Sequence, residues 1–198
     1  HANKAGKKIL ISGGGRCNFT NMYTEPGNYI SRNPHFCKSA LKRYSQWDFI
    51  AKVDKAQLPW HEKKLGQLFS DQGSKAILNM LLDECAALNA DIQLSCTIND
   101  VTKTEAHYRL ETSQGAMMCE SLVIATGAMS FPTMGATDFG HRIARQFDLK
   151  VTETVPGLVP FTFGPNEKSQ CVELSGVSVD AAIACNGQSF RENILFTH

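Results

Sequence analysis

The sequence predicts an α/β fold that carries a small β-meander, and three observations support this prediction. Apolar residues recur at helical spacing over residues 74–89, with Ile77, Met80 and Leu81 on one face. Short alternating segments follow this helix and predict strands. The all-apolar run 122–125 is typical of a strand that is buried on both faces in the middle of a parallel sheet.

Near its start the chain has a short apolar run, residues 9–11, followed by three consecutive glycines, residues 13–15. Taken alone, the glycines are those of a tight strand-to-loop turn. Arg16, Asn18 and Thr20 follow at once, which favours a second interpretation. Backbone amides in such a turn, with a cation beside them, are suited to binding an anion such as a pyrophosphate.

The remaining elements are predicted in chain order. Asn33 caps a helix that has Pro34 at its first position and runs to about Val53. Next comes a hairpin within residues 58–70, and then the helix 74–89. The alternating segments that predict strands are 90–96, 97–101, 108–112 and 116–119.

The last third of the chain contains a predicted domain boundary. Asp138 caps a helix that continues to Phe147, and a proline-bounded stretch follows at residues 155–160. Short extended runs after Phe161 predict β structure. We therefore divide the chain into an α/β domain, 1–155, and the start of a β-rich domain, 156–198.

Composition limits the classes of partner. The formal net charge is +1, and the sequence has no contiguous basic run, which predicts neither a nucleic-acid nor a membrane partner. Seven widely spaced cysteines without a C-x-x-C pair favour a reducing, cytoplasmic compartment. The histidines stand at unrelated positions, so no metal site is predicted.

A resemblance to a known family extends over essentially the whole chain, and two segments carry most of it. The run KKILISGGGRCNFTN, residues 7–21, and the run LVIATGAMS, residues 122–130, resemble the YhiN/BaiN-type flavoproteins. These are bacterial NAD(P)/FAD-dependent oxidoreductase-like proteins that include aminoacetone oxidase. The resemblance implies an incomplete Rossmann-like FAD/NAD(P)-binding domain that leads into an inserted β-rich domain, with Leu158 at the entry to the latter.

The resemblance also implies a function and a site. The intact protein would be an FAD-dependent oxidoreductase that exchanges hydride with a small organic substrate, with NAD(P)H as a possible donor and catalytic residues unassigned. The implied cofactor-binding residues are Lys8, Ser12, Gly13, Gly14, Gly15, Arg16, Cys17, Asn18, Ile98, Ala125, Thr126 and Gly127.

Three alternatives remain open at this point. The family's opening G-x-G-x-x-G segment and its late return to the flavin are absent from this sequence, so a fragment that does not bind FAD by itself is the second hypothesis. A phosphate-binding domain unrelated to flavin is the third, although the glycines lack the Lys-Ser/Thr of a P-loop. Cys17 is either a thiolate stabilised by Arg16 or an inert packing residue, and packing is favoured.

Overall fold

The computed structural model describes residues 2–127, 129–157 and 159–197. Outside them lie His1, Ala128 of the second resembling segment, Leu158 of the predicted domain entry, and His198. The chain divides into two compact units, His1–Val151 and Thr152–His198. Within the described part, no helix combines the length and the apolar character needed to cross a lipid bilayer.

Helices and strands alternate along the described chain, which confirms the α/β class. The helices are α1 (Lys7–Ile11), α2 (Lys38–Arg43), α3 (Gln46–Lys55), α4 (Ser74–Ala87), α5 (Phe139–Gln146) and α6 (Pro165–Cys171). The strands are β1 (Asn18–Asn21), β2 (Trp60–Glu62), β3 (Gln67–Ser70), β4 (Ile98–Lys103), β5 (Tyr108–Thr112), β6 (Gly115–Cys119), β7 (Ser178–Cys185) and β8 (Gln188–Leu195).

One core of the first unit lies between a three-stranded sheet and two helices. The sheet has the order β1-β3-β2 and is antiparallel throughout. Val53 of α3 and Ile77 and Met80 of α4 form its buried cluster together with Cys17. The hairpin predicted within 58–70 and the long amphipathic helix are thereby confirmed.

A second core of the first unit lies between the β-meander and α5. The strands follow the order β4-β5-β6, and Leu110 of the middle strand pairs with Val101 and Met117. Val101 and Leu110 are buried together with Ile143 of α5. The predicted meander and the helix after Asp138 are confirmed.

The second unit consists of α6, a short turn of helix and a long hairpin. Strands β7 and β8 pair in register from Ser178↔Leu195 to Cys185↔Gln188. Asn186 and Gly187 form the turn, with φ of 49° and 78°, the left-handed conformation that two-residue hairpin turns favour. The ring of Phe163 stacks on Phe196 at 6.2 Å.

The apolar run before the glycines is a helix, so the strand predicted to lead into the glycine turn is wrong. Residues 7–11 form α1, which packs on α4. The Ser74 hydroxyl donates to Leu10 O at 3.0 Å, and Leu78 lies so close to Gly6 that an added Cβ would fall 2.3 Å from its Cδ1. These contacts come from a helix more than sixty residues away, and local sequence does not encode them.

The single helix predicted over 33–53 is instead two helices, α2 and α3. Asn33 does accept a hydrogen bond from His35 N, but it caps only a turn. Ser45 and Asp48 form a capping box that starts α3, and Tyr44 ends α2 in an extended conformation. Ser-x-x-Asp is close to the capping-box pattern, so the sequence did contain the signal for this break.

Two predicted strands are absent from the described structure, and one predicted β region contains a helix. Residues 90–96 are irregular, and residues 122–125 have no regular structure and no strand partner, with Val123 83% exposed. Every strand pair in the described part is antiparallel, so no parallel neighbour is available to bury the apolar run. Pro165, at the first position of α6, starts a helix where β structure was predicted.

Candidate functional site

The three glycines and Ser12 form a tight bend, here called the glycine bend (Ser12–Gly15), between α1 and β1. Gly13, Gly14 and Gly15 have φ of 56°, 67° and 85°. Residues that carry a Cβ rarely adopt this left-handed backbone conformation, so glycine is required at three successive positions here. The prediction of a tight turn at these residues is therefore confirmed, although a helix and not a strand precedes it.

The two outer faces of the glycine bend differ in how much space they leave. A Cβ at Gly13 would lie 2.8 Å from Phe69 Cε1 and 3.0 Å from Asn18 N. A Cβ at Gly14 would have no heavy atom within 4 Å. The bend is therefore packed against the sheet at Gly13 and open at Gly14, and Gly14 is the position that another molecule could approach.

Part of the bend's backbone is already hydrogen-bonded within the protein. The amides of Arg16 and Cys17 both donate to Ser12 O, and the Ser12 hydroxyl donates to Ile9 O at 2.7 Å. These two amides close the turn and do not point to a ligand. An anion at the bend would therefore depend on the open Gly14 side and on the Arg16 side chain.

Arg16 shares an aromatic ring with a second cation. Its guanidinium carbon lies 5.6 Å from the Phe69 ring centroid, and Lys63 Nζ lies 5.7 Å from the same centroid. Arg16 Nε also donates to Gly13 O at 3.2 Å. The His61 ring stacks on Phe69 at 6.2 Å and pairs with Asp71 through Nδ1 at 2.5 Å. Two cations are therefore held beside the bend by segments far apart in sequence.

Cys17 and Asn18 have structural surroundings. Cys17 is 4% exposed and belongs to the core with Val53 and Ile77. The side-chain nitrogen of Asn18, in the orientation that satisfies the amide, donates to Leu68 O at 3.1 Å and Thr20 O at 3.0 Å. This bridges the irregular register between β1 and β3. The packing role expected for Cys17 agrees with this burial.

Residues 125–127, here called the second glycine segment, lie beside a cleft that is separate from the glycine bend. Ala125, Thr126 and Gly127 are exposed. Thr126 and Ile98 line a cleft of about 470 Å³, and Arg142 at its edge forms an ion pair with Asp138 at 3.3 Å. The full lining is Cys96, Thr97, Ile98, Thr126, Gly135, Thr137, Asp138, Phe139 and Arg142.

Lys8 connects α1 with the loop that follows this second segment. Its Nζ donates to Ser130 Oγ at 2.8 Å and lies 5.6 Å from the Phe131 ring centroid. The structure thus brings Ile98 and Thr126 into one cleft and ties Lys8 to the neighbouring loop. It does not place the glycine bend on the lining of that cleft.

Sequence reasoning missed Phe69, Lys63 and Arg142 as neighbours of the predicted site. Each belongs to a different element from the glycine bend, and no motif links them. The described residues also contain no group of three or more His, Cys, Asp or Glu side chains placed to hold a metal ion.

Comparison with known proteins gives the chain a family. Residues 1–187 match the family described as "HI0933-like protein Rossmann domain". The chain is 52% identical over 196 residues to a protein of Escherichia coli K12 named "Ribosomal RNA dihydrouridine synthase", covering 98% of this chain and 49% of that protein. A Haemophilus influenzae protein of the same name is 44% identical over 200 residues, covering 98% of this chain and 50% of that protein.

A more distant relative is the "3-dehydro-bile acid delta(4,6)-reductase" of Clostridium scindens. It is 23% identical over 181 residues, which are 90% of this chain and 43% of the relative. The chain therefore spans about half the length of the curated relatives that it matches. The resemblance to Rossmann-type flavoproteins is confirmed for the family, and the two more similar relatives carry a more specific name.

The exclusion of a nucleic-acid partner was wrong. The two relatives above 40% identity are named for an activity on ribosomal RNA. The exclusion relied on the lack of a contiguous basic run. A search for contiguous runs does not detect cations that converge from separate segments, as Arg16 and Lys63 do on the Phe69 ring.

Proposed function

The chain belongs to the HI0933-like Rossmann-domain family, and from that premise we propose that the full-length protein is a flavin-dependent enzyme that reduces uridine in ribosomal RNA to dihydrouridine. The reaction adds two hydrogens across the C5–C6 double bond of uracil. One arrives as a hydride and the other as a proton, and NAD(P)H is the ultimate source of the electron pair.

The observation that carries this proposal is the 52% identity to the E. coli ribosomal RNA dihydrouridine synthase over 98% of the chain. The matched 196 of 198 residues include the glycine bend, the meander and the second glycine segment. The substrate expected from sequence, a small organic molecule, is replaced by a base within RNA.

The residues present fit a dinucleotide cofactor. Gly14 offers open backbone with no heavy atom within 4 Å of a would-be Cβ, and the exposed Arg16 side chain is held beside it. Glycine backbone and a cation are the donor set that a pyrophosphate requires. FAD bound here would supply the hydride chemistry itself.

The chain's own residues would bind the cofactor and hold it in one orientation. Gly14 would let phosphate oxygens approach the bend and Arg16 would neutralise them, whereas Lys8 would hold the neighbouring loop through Ser130. Ile98 and Thr126 would provide an apolar wall and a hydroxyl in the second cleft. Cys17 would hold the bend in place by packing in the core, with no redox role.

A second candidate function has its own supporting observation. The 23% identity to a bile-acid reductase favours reduction of a double bond in a small organic substrate. The alternative that these 198 residues alone do not bind FAD also stands, because the relatives are about twice as long.

The test uses the full-length protein. It is purified, scanned for the visible absorption of flavin before and after FAD is supplied, and incubated with NADPH and ribosomal RNA that lacks dihydrouridine. Mass spectrometry of the digested RNA should show a uridine that has gained two hydrogens. Reduction of a small enone with no change in RNA would favour the second candidate. A protein that takes up no FAD overturns both.

A further inference from the structure

A second cationic region lies outside the site described above, in residues 26–47, here called the basic–aromatic segment. It contains the cations Arg32, Lys38, Lys42 and Arg43 and no aspartate or glutamate. The whole chain carries a formal net charge of only +1. The first 47 residues contain eight Lys and Arg and one acid, Glu25, and this segment contributes four of those eight cations, which are not contiguous in sequence.

Four aromatic side chains are interleaved with these cations and face solvent. Tyr29 is 42% exposed, Phe36 55%, Tyr44 52% and Trp47 56%. The adjoining helix α3 buries Ile50 and Val53 instead. Aromatic rings normally supply a large share of core burial, and four partly exposed rings in one short segment leave ring surface open to solvent. Tyr29 and Phe36 also pack edge to face at 6.5 Å.

The cations of the segment are exposed, and none of them forms an ion pair with a residue that the structure describes. Lys38 and Lys42 stand four residues apart on α2, where like charges repel each other. The nearest acid in sequence on the C-terminal side, Asp48, is occupied by hydrogen bonds from Ser45 N and Ser45 Oγ. The segment thus lacks internal counter-charges.

A cleft of about 250 Å³ is lined by two of the four rings and by none of the four cations. Tyr29 and Tyr44 line it together with Leu41, which α2 contributes from between its cations. Ser45 and Gln46 add polar groups to the same wall. Two of the exposed rings therefore share a recess with polar groups, and the cations Lys38, Lys42 and Arg43 lie on α2, the helix that contributes Leu41 to it.

We propose that the basic–aromatic segment binds single-stranded RNA. Lys38, Lys42, Arg43 and Arg32 contact phosphates, and the exposed rings stack on unpaired bases, the combination by which proteins bind single strands. Duplex RNA hides its bases from such stacking. The inference deepens the proposed function, and its choice of RNA as the nucleic acid rests on that function.

The experiment measures fluorescence anisotropy of a labelled 16-nucleotide oligouridine with the full-length protein across a salt series. A charge variant carries Lys38→Gln, Lys42→Gln and Arg43→Gln. Its matched control removes the same number and type of exposed cations elsewhere. The control substitutions are Lys75→Gln, Arg145→Gln and Lys150→Gln.

The charge variant should bind more weakly, and its salt slope should fall by about 2, since each phosphate contact on a single strand contributes about 0.7. The control should keep a slope close to that of the wild type. A ring variant, Tyr44→Leu with Trp47→Leu, should lose about 5- to 150-fold in affinity for each stacked base with an unchanged slope. A blunt-ended RNA duplex should bind more weakly than the single strand.

Equal slopes in the charge variant and its control would overturn the proposal. So would tighter binding of a polyglutamate peptide than of oligouridine, with the same dependence on the segment, because the partner would then be an acidic protein. Dihydrouridine formation separates this inference from the proposed function. Segment variants with unchanged kcat/KM on ribosomal RNA would refute the surface alone, whereas segment-dependent RNA binding without any dihydrouridine would refute only the activity.

Discussion

Alanine at Gly13 and at Gly14 should separate the structural face of the glycine bend from its ligand face. Both positions have a left-handed backbone, with φ of 56° and 67°, and an L side chain in that region costs about 1–2 kcal/mol. At Gly13 the added Cβ would also lie 2.8 Å from Phe69 Cε1 and 3.0 Å from Asn18 N. Forcing extra volume into a packed site costs about a further 1–3 kcal/mol.

The free energy of unfolding should therefore fall by about 2–5 kcal/mol for Gly13→Ala and by about 1–2 kcal/mol for Gly14→Ala. Urea titrations followed by tryptophan fluorescence measure both changes in the same buffer. Gly14→Ala is the matched control, since it carries the same backbone penalty without the clash. Equal losses in the two variants would refute the packing assigned to Gly13.

The same two alanine variants also test whether the glycine bend contributes to cofactor binding. If phosphates approach the open side of Gly14, its alanine variant should bind FAD at least ~10-fold more weakly, which corresponds to about 1.4 kcal/mol. Titration of flavin fluorescence with the full-length protein measures this change at a temperature where both variants are folded. Wild-type FAD affinity in Gly14→Ala would remove the bend from the cofactor site.

Three further predictions concern the core, the helix cap and the buried thiol. Leu68→Ala should lower the free energy of unfolding by about 2–5 kcal/mol because Leu68 is 0% exposed. The control Leu88→Ala, at a residue that is 80% exposed, should change it by less than ~0.5 kcal/mol. Similar losses in the two variants would contradict the burial of Leu68. Hydrogen bonds from Ser45 lower the pKa of the Asp48 carboxyl in the folded protein, so the stabilisation that it contributes is present above the unfolded pKa and is lost as pH falls through the folded pKa. The urea midpoints of wild type and Asp48→Asn should therefore differ at about pH 7 and converge in strong acid. A difference that stays constant with pH would refute the assignment. Cys17 should react with a maleimide far more slowly than the exposed Cys185 of the last hairpin, and mass spectrometry of the digested peptides measures both rates. Equal rates would contradict the burial of Cys17 in the core.

Local sequence determined the elements whose patterns suffice by themselves. The helix α4 follows from apolar residues at helical spacing, and β2–β3 and the meander follow from short alternating runs bounded by turn residues. The glycine bend was also readable, because three successive glycines leave few other conformations as favourable. Even the break at Ser45 was encoded, by a capping box that the helical spacing across it obscured.

Only the tertiary structure decided which segments find partners. Residues 122–125 have the composition of a central strand, yet a strand requires neighbours, and the described chain pairs nothing with them. Residues 9–11 lie in a helix that contacts α4, where the Ser74 hydroxyl donates to Leu10 O and Leu78 lies against Gly6. Arg16 and Lys63 meet only because β3 carries Phe69 between them. The spacing of apolar residues indicates which secondary structure a segment favours by itself. Strand pairing, packing and charge clusters depend on contacts with residues that are distant in sequence, and the order of residues does not show which of them meet.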